Sequence, residues 1–147
     1  EINFDIVKKY IKNGTELPGF SKIIDQGVIE TTSEKKYEYL EPWIQWPSVH
    51  NGLTYEEHKI FRLGDAVNSN IPQIFEKIES LGFSVGAVSP MNTRNSLSEP
   101  KYFIPDPWTN TDTDDSYLSK AVSKAINQAV NDNSEAKLSI PTIFNFF

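Results

Sequence analysis

Glu41, Ser48, His50, Asn51 and His58 stand within one short stretch of this chain, together with Trp43 and Trp46. A carboxylate, a hydroxyl and two imidazoles are the groups that nucleophilic and acid–base chemistry uses. Ser48 is a candidate nucleophile, and Glu41 is a candidate carboxylate nucleophile or metal ligand. Trp43 and Trp46 suit a wall against a substrate, and equally a core in which the indole N–H finds a partner. The two histidines are eight positions apart, too far for an i, i+4 pair on one helix. A zinc site built on them would need carboxylates from elsewhere; otherwise they hold the loop by hydrogen bonds. Asp112, Asp114 and Asp115 alternate with threonine as in a calcium loop but lack its glycine and closing glutamate, so a helix start explains them as well. Asp5 sits in the first turn of a helix, where an acid is favourable against the macrodipole.

The elements that must position these groups follow from pattern and punctuation. Ile6, Val7, Tyr10 and Ile11 repeat at helical spacing until Asn13-Gly14, and Pro18 opens a second short helix that Gly27 stops. Val28 to Glu30 reads as a short strand and residues 31–39 as a polar loop. Ser69 or Asn70 is expected to cap a helix with Ile71, Ile74, Phe75, Ile78 and Leu81 inward and Gly82 as its stop. Phe83 to Val88 follows as a strand. Residues 92–116 are rich in Pro, Asn, Thr and Asp and read as one long loop. A helix from about Tyr117 to Val130 would bury Leu118, Ala121, Val122, Ala125, Ile126 and Ala129. Residues 140–147 read as a terminal buried strand. Between Leu40 and His58 neither the helical nor the strand period is clean. This order predicts an α/β fold with mostly parallel strands flanked by helices, in one domain spanning 1–147.

Composition narrows the partners. With 147 residues, 38% hydrophobic and 12% aromatic, the chain can build a core. A net charge of −6 argues against a nucleic-acid backbone or an anionic membrane as the main partner. No run approaches the ~20 apolar residues of a spanning helix. The absence of cysteine excludes disulfides, thiolate metal sites and cysteine nucleophiles. A chain starting on Glu1 and closing on an aromatic pair is expected to be a fragment cut at both ends.

Four pieces in order resemble the type I phosphodiesterase and nucleotide pyrophosphatase branch of the alkaline phosphatase and sulfatase superfamily. They are Leu17 to Val28, Asn51 to Ile60, Ile71 to Pro90 with its Leu81-Gly82, and Pro141 to Phe147. The resemblance implies an alkaline-phosphatase-like sandwich, of which this chain would hold an N-terminal portion. It also implies two divalent metal ions, zinc or manganese, and a small anionic phosphate or sulfate ester as substrate. Asp5 then becomes a candidate metal ligand, with the other ligands outside the chain. Asn51 would contact the ester oxygen, Trp43 and Trp46 would line the site, and Asn92, after a strand, would sit at its rim. The family's nucleophile position falls on Pro42, ten residues before Gly52, and proline cannot attack. Glu41 and Ser48 therefore stand as substitutes, and a catalytically inert homologue or binding module of the same fold stands as the alternative. The fragment alone is expected to be inactive.

Overall fold

The computed structural model describes residues 2–29, 34–131 and 140. The chain divides into two compact units, 1–33 and 34–147. Among the described residues it is mixed α/β, with six α-helices and a two-stranded parallel sheet.

The first unit holds α1 (Phe4–Lys12) and α2 (Pro18–Asp25). Asn3 caps α1 by accepting the Ile6 N–H, and Asn13 ends it, as the Asn-Gly pair predicts. Pro18 occupies the first turn of α2, where its missing N–H costs nothing. Gly27 then takes a φ of +98°. Neither helix buries a residue.

The second unit contains α3 (Pro42–Asn51), α4 (Tyr55–His58), α5 (Ile74–Ser80), β1 (Gly86–Val88), β2 (Tyr102–Ile104) and α6 (Tyr117–Asn131). α3 packs on α4 and α5, and α6 packs on β2. Ile44 and Phe103 are fully buried at the centre, with Val85, Ala87 and Ile104 around them. β1 and β2 run parallel, with Ala87 opposite Phe103. The ladder continues past both strands: Lys101 N–H donates to the Val85 carbonyl and Ser89 N–H to that of Ile104.

Several details depart from the sequence-based expectations. β2 lies inside the stretch expected to be a single loop. Its Tyr-Phe-Ile run is flanked by Pro100 and Pro105, a strand signal that the polar surroundings mask. α5 starts at Ile74, capped by Gln73, whose N–H donates to the Glu76 carboxylate at 2.6 Å in a capping box. Ser69 instead uses its hydroxyl to accept the Ile71 N–H, a local turn that competes with a cap. α6 buries Ser119, Ala121, Ser123 and Ala125, while Leu118 is exposed. The residues that α6 buries are thus all small. The expected strand at 28–30 forms none at Val28 and Ile29, and Ile140, expected to open the buried terminal strand at 140–147, is helical and exposed; the rest of both expected strands lies outside the described residues.

Candidate functional site

α3 is a helix despite two prolines. Pro42 begins it harmlessly, but Pro47 is in its interior and has no N–H to give the carbonyl four residues back. That carbonyl belongs to Trp43. It is taken instead by the side chain of Asn92, whose Nδ2 donates at 2.7 Å. The same amide donates to the Arg62 carbonyl at 3.1 Å, and its oxygen accepts the N–H groups of Gly64 at 2.9 Å and Ala66 at 3.4 Å. Asn92 N–H donates to Asp106 at 2.8 Å. Asn92 is fully buried with φ +51°, a left-handed conformation that asparagine tolerates. It follows β1 as Asp106 follows β2, so the carboxyl ends of both strands and the first turn of α3 are joined through one residue.

Further along α3, Ser48 and His58 meet, with Oγ 3.0 Å from Nε2. The tautomer follows from the other ring nitrogen. His58 Nδ1 lies 2.9 Å from the Ile60 backbone nitrogen, which can only donate. Nδ1 therefore presents its lone pair, Nε2 carries the proton, and the imidazole donates to Ser48. A nucleophile-activating Ser–His couple runs the other way, with Nδ1–H held by an acceptor and Nε2 free to receive the hydroxyl proton. As placed, His58 fixes Ser48 without activating it. Burial pushes the His58 pKa down, Glu34 and Glu57 pull it up, and Lys59 lowers it.

His50 has the opposite tautomer. The Thr93 hydroxyl donates to the Met91 carbonyl at 3.1 Å, and so accepts from His50 Nδ1 at 3.0 Å. The ring is buried between Trp46 and Phe75, and burial lowers its pKa.

The remaining candidates are placed as follows. Glu41 precedes the first turn of α3, half-buried, with no capping bond from its side chain. Trp43 is half-buried and Trp46 is 45% exposed. Asn51 is buried and its Oδ1 accepts the Leu53 N–H at 2.8 Å, shaping the turn around Gly52. Its side chain borders a cavity of about 10 Å³, the room of a single water, shared with Ile60, Gln73 and Asn92. Asp5 is exposed in the first turn of α1, in the other unit. Among the described residues no three His, Asp or Glu side chains converge.

Asp106, which sequence reasoning passed over, and Asp114, which it read as part of a helix start, prove central. Asp106 is buried and accepts from Asn92, Trp108 and Thr109 N–H groups, an Asx turn signalled by Asp-Pro. Asp114 accepts the Phe103 N–H and the Ser119 hydroxyl, and its own N–H donates to the Phe103 carbonyl. Burial raises its pKa, but hydrogen bonds from Ser116, Ser119 and Phe103 outweigh that and bring it to about 2. The expectation of a helix start at Asp112 to Asp115 accounts for part of this, since Asp114 also accepts the Ser116 N–H ahead of α6.

No helix among the described residues is long and apolar enough to cross a membrane. Comparison with protein-family models, with curated proteins and with solved structures finds no match to the chain.

Proposed function

We propose that this chain forms one wall of a metal-dependent phosphoesterase or sulfoesterase site of the alkaline-phosphatase-like sandwich. The observation that carries the reading is the 2.7 Å bond from Asn92 to the Trp43 carbonyl. It brings the N-terminal turn of a ten-residue helix to the carboxyl end of a parallel strand. That is where α/β sheets bind ligands, and a helix start favours an anionic ester there. Two zinc or manganese ions, when bound, would polarise the ester and offset the charge of the acidic chain. Their ligands, Glu41 apart, would come from outside the described residues. In this reading Trp43 walls the ester's organic group and Asn92 holds the rim together from behind. Glu41 is favoured over Ser48 as the reactive group, because Ser48 already accepts the His58 proton.

Pro42 at the family's nucleophile position favours a second reading, an inert homologue that binds the ester without cleaving it. Both are tested on the full polypeptide with an aryl phosphodiester, an aryl sulfate and metal analysis. Glu41→Gln is expected to lower turnover by about 10⁴-fold, and Ser48→Ala to leave it within about threefold. The reverse pattern would move the nucleophile to Ser48. Ester binding without turnover or bound metal would establish the inert reading.

A further inference from the structure

We infer that His58 is an acid-operated latch, holding the turn from His58 to Ile60 against α3 and releasing Ile60 when the imidazole gains its second proton. The inference is independent of the proposed chemistry and rests on how the two ring nitrogens are used. Nε2–H already donates to Ser48 on α3, so the only place for another proton is Nδ1. Among the described residues, Nδ1 is the sole acceptor for the Ile60 N–H. Protonation sets one N–H against another and leaves a buried backbone donor unpaired, so the closed turn and the imidazolium exclude each other.

The intervening residue is already poised for release. Lys59 has a φ of +56°, a conformation unfavourable for a residue with a β-carbon. Ile60 is 6% exposed and closes one side of the cavity bordered by Asn51, Gln73 and Asn92. Its withdrawal would widen that cavity and bring solvent to Asn51, Gln73 and Asn92.

His50 provides the contrast. Its Nδ1–H already donates to Thr93, so a second proton would go to Nε2 and leave that bond intact. The charged groups facing His58 are Glu34 and Glu57, which favour its cation, and Lys59, which opposes it. The Tyr55 ring meets the imidazole edge-on, and α3 presents the neutral Ser48 hydroxyl.

The test is nuclear magnetic resonance on the whole chain, from about pH 7.5 to about 4.5, across the usual histidine range. It follows the His58 ring nitrogens and the Ile60 amide exchange rate, corrected for its intrinsic pH dependence. The neutral ring should carry its proton on Nε2. Ile60 exchange should accelerate about tenfold for each pH unit as the pH falls from the free-imidazole value of about 6.5 to the observed His58 midpoint, below which the open turn predominates. His58→Asn, whose side-chain oxygen can accept the Ile60 N–H but does not titrate, should show no such acceleration. Lys59→Gly, which relieves the left-handed strain, should slow exchange about fivefold at a given acidic pH; it keeps the test open if His58→Asn does not fold. A proton on Nδ1 at neutral pH would overturn the inference. So would a titration of His58 that leaves Ile60 protected, or the same acceleration in His58→Asn.

Discussion

Because Pro47 has no N–H, the Trp43 carbonyl must bond outside its own helix, and Asn92 supplies the partner. Asn92 also bonds Arg62, Gly64 and Ala66, so its removal leaves several backbone groups without partners. Asn92→Ala is expected to lower unfolding stability by about 3 kcal/mol or more, since each buried unsatisfied group costs about 1–3. Asn92→Asp should be comparably damaging, because it turns an oxygen toward the Trp43 and Arg62 carbonyls. Urea denaturation of both variants checks this, and a loss under about 1 kcal/mol would show the junction to be dispensable. Asp114 is the second such residue. Asp114→Ala should cost about 1–3 kcal/mol by removing the acceptor of Phe103, Ser116 and Ser119.

At the scale of elements, the ends of α3 and the pairing of β1 carry separate predictions. Gly52 closes α3 at φ +77° with open space where a β-carbon would lie. Gly52→Ala should therefore cost about 1 kcal/mol through backbone strain alone, measured as a shift in the denaturation midpoint. At Gly86 the obstacle is steric, since a β-carbon would lie within the Tyr102 ring. That ring is 45% exposed and can swing outward, so Gly86→Ala should change the tyrosine environment more than the stability.

The elements were unequally legible in the sequence. α1, α2 and α6 were readable because helical spacing and Asn, Gly or Pro punctuation agree there. α3 was not, because its bonding depends on a residue 45 positions beyond Pro47, which no local period encodes. β2 was hidden by its length of three residues among polar neighbours. Glu41 to His58 was recognisable as a cluster by residue type. Which nitrogen of His58 bears the proton is set by the Ile60 backbone, and residue types alone do not carry that.

For the molecule as a whole, acid stability should fall in two stages. Burial depresses both histidines in the folded state, so their contribution is complete above about pH 6.5, the unfolded value, and declines as pH falls through the folded values. Asp114 is depressed to about 2, so its contribution is complete above an unfolded value near 3.8 and is lost only as pH falls through about 2. Thermal melts across this range should show the early stage flattened in a His50→Gln, His58→Asn double variant and the late one flattened in Asp114→Asn. A single acid step untouched by these substitutions would contradict the assignment.

The Asp114 bonds also bear on how the sheet can grow. An unpaired strand edge is a template for recruiting further strands, and proteins guard against it with charge. On β2 the outward N–H and C=O of Phe103 are both engaged by Asp114, whose carboxylate stays ionised down to about pH 2. No described residue occupies the outward groups of Gly86 and Val88 on β1. Among the described residues, the β2 edge is thus guarded against edge-to-edge pairing through ordinary acidification, and the β1 edge carries no such guard.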